Sequence, residues 1–88
     1  MRVDDTTEFM DNRTLVTGVV LSGVVRTGDE MFVLGGPQQL TVRVSGVEAF
    51  AKSIDFAEAG DRAGLILDGI SVADFPSDAE LSSTADGT

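Results

Sequence analysis

From Leu15 to Ile70 the chain alternates short apolar runs with turn signals, and no interval between turns has room for a crossover helix. Parallel strands need connections of a dozen or more residues, usually helical, so strands spaced this closely must pair antiparallel. Turn signals about every eight to twelve residues are the pattern of a sandwich or a barrel. A closed barrel leaves no exposed edge strand, which favours it over an open sheet. The expectation is an all-β fold, a small closed antiparallel β-barrel of roughly six to seven short strands.

Arg2 to Met10 alternates loosely and predicts a first strand, ended by the turn-forming cluster Asp11-Asn12-Arg13. Thr14 to Leu21 is β-branched and apolar, a strand with Gly18 inside it, where a bulge or a close backbone approach is expected. Ser22-Gly23 and Thr27-Gly28-Asp29 are turns on either side of the short extended piece Val24-Val25-Arg26. The nearly continuous run Glu30 to Leu34 suits a strand buried on more than one side. Gly35-Gly36-Pro37 breaks it into a loop, because proline lacks an N–H and glycine lifts steric limits. Leu40, Val42 and Val44 alternate with polar residues at the period of a half-buried strand, until Gly46 interrupts them. Lys52 to Gly60 reads as an irregular connection anchored by Ile54, Phe56 and Ala57, with a single helical turn around Phe56 as an alternative. Arg62 to Leu67 is again a strand and Asp68-Gly69 a turn. Ser71 to Phe75 predicts one helical turn capped by Ser71, and a last strand falls near Ala79 to Ser82. The barrel is expected over residues 1–83, with a small, polar, frayed tail at 84–88.

The chain has no Cys and no His. Disulfides, thiolate metal sites and the usual general base are therefore excluded. Five Phe are the only aromatic residues available for stacking. Fifteen acidic residues against six basic ones give a formal charge of −9. Such a surface repels phosphate at long range, the opposite of the usual nucleic-acid footprint, and serves solubility instead. No apolar run approaches the ~20 residues of a membrane span, and the polar start of the chain is unlike a signal peptide. A cytoplasmic protein with no membrane role is expected. Asp4-Asp5, and Asp74 with Asp78, lack the oxygen-ligand loop of a calcium site and read as solvated turn charges. Gly35-Gly36 has no following helix start or Lys, so it reads as a hairpin loop and not as a phosphate cradle.

Four phrases in fixed order carry a resemblance. They are Arg13-Thr14-Leu15-Val16-Thr17-Gly18-Val19-Val20-Leu21-Ser22-Gly23, then Thr27-Gly28-Asp29-Glu30, then Gly46-Val47-Glu48-Ala49-Phe50-Ala51-Lys52, and lastly Ala59 to Ile70. Together they resemble the second, β-barrel domain of elongation factor Tu-type translational GTPases, standing without the GTPase domain. The similarity runs from about Met1 to Leu81. It implies a barrel whose surface, in the family, receives the aminoacylated end of transfer RNA. The family's Gly-Val-Glu phrase places Glu48 where a glutamate helps hold the terminal adenine, and Lys52 keeps the adjacent basic position. Ala51 stands where the family has an arginine near the esterified end. Val19-Val20-Leu21-Ser22 replaces the charged phrase Arg-Val-Glu-Arg, and Asp11 and Arg13 replace glycines.

Five residues are the candidate binding residues. Glu48 leads them, its competing reading being a solvated surface carboxylate. Phe50 either flanks the same groove or plugs the barrel end, with the plug favoured. Lys52 accompanies them. Val19 and Leu21, at period two, form an apolar patch for a protein partner if they face outward, or core if the register differs. No catalytic residue, cofactor or metal ligand is indicated, and no Gly-x-x-x-x-Gly-Lys-Ser/Thr loop for GTP occurs. The chain is expected to be a non-catalytic binding module that docks to a protein or ribonucleoprotein of the translation machinery. Recognition of the transfer RNA 3′ end is the alternative, and the charge and the lost arginines count against it. A free-standing relative is favoured over an excised domain of a larger factor.

Overall fold

The computed structural model describes residues 1–36, 38–50, 52–76 and 79–83. Among them the chain forms nine strands: β1 (Arg2–Phe9), β2 (Arg13–Val19), β3 (Val24–Arg26), β4 (Glu30–Leu34), β5 (Leu40–Ala49), β6 (Lys52–Ile54), β7 (Phe56–Glu58), β8 (Arg62–Asp68) and β9 (Glu80–Ser82). The main sheet runs β4-β9-β1-β2-β8-β5-β6, and β4 also pairs with β5. Six antiparallel strands therefore close into a ring, with β6 as an extra strand on β5 and β3–β7 as a separate two-stranded ribbon. No helix among the described residues is long and apolar enough to cross a membrane.

Alternation decides which side chains fill the ring. Val16, Val20, Val33, Val42, Val44, Val47, Leu65, Leu67 and Leu81 point inward and are almost wholly buried. Each such side chain contributes about 1.5–3 kcal/mol by leaving water. Buried Thr14 keeps its hydroxyl satisfied by donating to the Ile70 carbonyl at 2.8 Å. The run Glu30 to Leu34 is buried on one face only: Met31 and Val33 lie in the core, while Phe32 and Leu34 are half-covered.

Gly18 meets its expectation by close approach. A Cβ there would lie 1.9 Å from the Arg2 carbonyl oxygen, because the paired β1 backbone comes in close at Arg2 and Val3, next to its register shift. The bulge belongs to the partner strand, where the register with β2 shifts between Val3 and Asp5 and leaves Asp4 as the extra residue. A second shift, between Val44 and Gly46, explains why the alternation breaks there. The ring closes where the Met1 ammonium donates to the Leu81 carbonyl and Leu81 N–H returns the bond at 2.8 Å. Burial lowers the pKa of that ammonium from its ordinary value, against an opposing pull from Glu80.

The ribbon ends in two turns of the same design. In Arg26-Thr27-Gly28-Asp29, the Asp29 N–H donates to the Arg26 carbonyl at 3.1 Å, and the Arg26 N–H donates to Asp29 Oδ2 at 2.8 Å. In Glu58-Ala59-Gly60-Asp61, the corresponding distances are 2.9 and 3.0 Å. Gly28 and Gly60 take φ of 98° and 92°, the left-handed conformation that this turn position demands.

Two local expectations are corrected. Residues 52–60 form no helical turn and little irregular chain. They are two strands separated at Asp55, β6 on β5 and β7 on β3. A tight hairpin back onto β5 forms β6, and pairing with distant β3 forms β7, both overriding a polar local composition that carries no alternation of its own. Ala57 is the buried anchor and Ile54 is half-buried, but Phe56 faces out. A 3₁₀ turn does form at Val72–Asp74 after Ser71, yet the Ser71 hydroxyl donates to the Asp74 carboxylate at 2.9 Å in place of capping the backbone. The expected tail at 84–88, along with Pro37, Ala51 and Asp78, lies outside the described residues.

Candidate functional site

The site begins with one row of outward-facing positions. Thr17 of β2 pairs with Gly64 of β8, Gly64 pairs with Glu48 of β5, and Glu48 pairs with Ser53 of β6. Neighbouring strands stand about 4.8 Å apart, so the row crosses four strands in roughly 14 Å. Gly64 has no side chain to fill its place. A Cβ there would meet Leu15 Cδ1 at 3.3 Å and Glu48 Oε1 at 3.7 Å. A glycine in mid-row thus makes a trough, and the Glu48 side chain lies along it. The resulting groove, about 310 Å³, is lined by Thr17, Glu48, Ala49, Phe50, Arg62 and Gly64, with Ala63 beneath.

Phe50 forms the rim. It sits where β5 turns into β6, is 99% exposed, and holds φ of 54°, a left-handed conformation that costs a non-glycine residue about 1–2 kcal/mol. The favoured plug role is therefore wrong. With its side chain open to solvent, Phe50 fills no part of the barrel interior. Arg62 closes the groove from β8. Its guanidinium donates to Asp4 Oδ2 at 2.8 Å, and Arg2 approaches the same carboxylate at 3.4 Å. The bulge in β1 sets Asp4 in place for this contact.

The five sequence candidates divide accordingly. Glu48 and Phe50 share the groove. Lys52 is exposed on β6 opposite Ala49, beside the groove and outside its lining. Val19 and Leu21 do face outward, since Val20 between them is buried. Val19 is half-covered between Arg2 and Arg62 of the flanking strands, whereas Leu21, past the end of β2, is open to solvent. Sequence reading missed Thr17, Gly64 and Arg62. A glycine inside the aliphatic run 62–68 was the available signal for the trough. Nothing local marked Arg62, whose place depends on which strands lie beside β8.

The groove therefore offers an acceptor (Glu48), a guanidinium donor (Arg62), a hydroxyl (Thr17) and an open aromatic face (Phe50). Groups of these kinds can take part in hydrogen bonding, ion pairing and stacking. Among the described residues no group of three or more acidic side chains is placed to hold a metal ion.

Residues 13–77 match the family model described as elongation factor Tu domain 2. Two solved structures of the translation elongation factor SelB from Methanococcus maripaludis, the apo form and the complex with the GTP analogue GppNHp, superimpose on the chain. Each has a TM-score of 0.85 and 30% sequence identity. In both cases the match covers 98% of this chain and 18% of the SelB chain.

Proposed function

Because the chain belongs to the elongation factor Tu domain 2 family, we propose that it is a non-catalytic binding module of the translation machinery, using the Glu48–Phe50–Arg62 groove to dock a protein or ribonucleoprotein partner. Its match to a translation elongation factor over 98% of its length supports the setting. The observation that carries the reading is Phe50. A fully exposed phenylalanine in the left-handed region buries nothing and is strained, so its presence costs stability without a structural return. A partner that covers the ring would supply that return.

The test is co-sedimentation of the tagged protein with ribosomes and translation factors from cells of its source, comparing native protein with Phe50→Ser and Glu48→Gln. A drop of about tenfold or more in co-sedimenting partner is expected for each variant, since truncating an anchor in a desolvated pocket costs ~1–2 kcal/mol or more. An unchanged profile overturns the reading.

Arg62 favours a second reading, recognition of an RNA end. It supplies a guanidinium to the groove, while in sequence Ala51 stands where the resemblance has an arginine. Filter binding to a transfer RNA mixture at low and moderate salt separates the two. RNA binding weakens steeply as salt rises and is lost in Arg62→Ser, whereas a protein contact through Phe50 varies little.

A further inference from the structure

Glu48 lies half-buried along the Gly64 trough, and among the described residues no hydrogen bond or ion pair engages its carboxylate. A carboxylate partly withdrawn from water and left without a donor is an unmet acceptor. Phe50, on the same groove, is unmet in its own way. Phe9 carries the Arg13 guanidinium 5.4 Å from its ring centroid, and Phe56 carries that of Arg26 at 5.6 Å. Phe50 is more exposed than either and, among the described residues, has nothing on its ring.

Strand order decides the charge of the groove. Its row runs Asp5, Thr17, Gly64, Glu48 and Ser53, with two carboxylates and no cation. Lys52 pairs with Ala49, one place along β6 from Ser53, so its side chain leaves the sheet on the side away from Glu48. Arg62 reaches the groove from the next row, where Arg2 and Arg62 flank Val19. Both guanidiniums turn to Asp4, at 2.8 Å for Arg62 and 3.4 Å for Arg2. The bulged Asp4 thus occupies the cation of the groove's lining and leaves Glu48 to set the sign.

We propose that the groove takes an arginine side chain from a partner protein, with Asp4 holding Arg62 aside; this rests on the docking function proposed above and names its ligand. The incoming guanidinium stacks on the open Phe50 ring and donates two parallel N–H bonds to Glu48. One planar group does both, because its fork matches a carboxylate and its face matches an aromatic ring. Lysine brings a point charge with neither fork nor face. The groove's 310 Å³ is the space of roughly ten waters at ~30 Å³ each, room for the apolar stem of the side chain. The net charge of −9 draws a basic segment from a distance. The same charge opposes the phosphates of RNA, the competing occupant.

A displayed library of random nonapeptides, panned against the folded protein, tests it. The enriched peptides should carry Arg, in preference to Lys, at one fixed position. Binding of a synthetic consensus peptide should fall about tenfold or more with Glu48→Gln and about fivefold or more with Phe50→Ser. A Lys-for-Arg version should bind the native protein about fivefold more weakly. Glu8→Gln removes the same unit of charge away from the groove and should leave binding unchanged. Asp4→Asn frees Arg62 to face the groove, so it should weaken the peptide severalfold while raising affinity for oligo(A) RNA. Circular dichroism melts check that the variants fold, and Phe50→Ala replaces Phe50→Ser if that variant does not. Peptides without Arg, equal binding of the Lys and Arg versions, an equal loss with Glu8→Gln, peptide binding indifferent to Asp4→Asn, or tighter binding of oligo(A) than of peptide to the native protein overturns the proposal. Co-sedimentation that still depends on Phe50, beside a library without Arg, removes only the arginine. Co-sedimentation indifferent to Phe50 removes the docking site itself.

Discussion

Phe50 sets stability against recognition within one residue. Its ring touches solvent on every side, so truncation removes no packing, and its φ of 54° is a conformation that glycine adopts freely. Relief of about 1–2 kcal/mol of strain, less the ~1 kcal/mol that glycine loses in backbone entropy, gives a net gain of zero to about 1 kcal/mol for Phe50→Gly. Phe50→Ala keeps the strain and should be near neutral. Urea denaturation ranks the pair, and a Phe50→Gly variant clearly less stable than Phe50→Ala would show that the left-handed backbone there holds no strain for glycine to relieve. Residues whose role is steric were the legible ones. Gly18 stood out because a glycine in a β-branched strand needs a reason, and the carbonyl of Arg2 is that reason. Phe50 was misread because hydrophobicity predicts burial only on average, and no local pattern reports a left-handed aromatic.

The strand-and-turn plan was largely readable because each Gly-Asp turn punctuates its own neighbourhood. Thr27-Gly28-Asp29 was recognised as a turn, while the equivalent Ala59-Gly60-Asp61 was read as part of an irregular connection and a family phrase. Its mate became plain only when the ribbon placed both side by side. Asp29→Ala and Asp61→Ala should each cost about 1 kcal/mol, the usual worth of an exposed side chain-to-backbone bond. Asparagine, which keeps the acceptor, should restore most of it. Thermal melts of the four variants measure this, and an Asp→Ala variant as stable as its Asp→Asn counterpart would remove the bond as the cause. The pair β6 and β7 was illegible for the opposite reason. Three-residue strands exist only through their partners: β7 depends on β3, up to 34 positions away, while β6 folds back locally onto β5 through a hairpin whose Phe50 adopts a left-handed conformation that no sequence pattern signals. The groove shares this origin, since a row through β2, β8, β5 and β6 is a property of strand order, which no single element states.

At the scale of the molecule, closure was the secure expectation and recognition the insecure one. A ring of six antiparallel strands follows from spacing and from the lack of crossovers, whereas a docking surface depends on which charges the ring brings together. Fifteen carboxylates on 88 residues also make the folded state repel itself. Raising sodium chloride from about 10 mM to 500 mM shortens the screening length from ~30 Å to a few ångströms, so the melting temperature should rise by several degrees. A flat or falling melting temperature would mean that the acidic groups are already balanced locally. One further consequence follows from the two aspartate turns. The N–H and C=O groups of Arg26 and Glu58 that point away from the ribbon are each satisfied by Asp29 or Asp61, so the last residue of each short strand offers a neighbouring copy no free backbone group to pair with. Replacing both aspartates with alanine should convert the ribbon into a seed for thioflavin-binding fibrils. A Gly60→Ala protein of matched stability, its carboxylate guards intact, should remain dispersed at the same concentration.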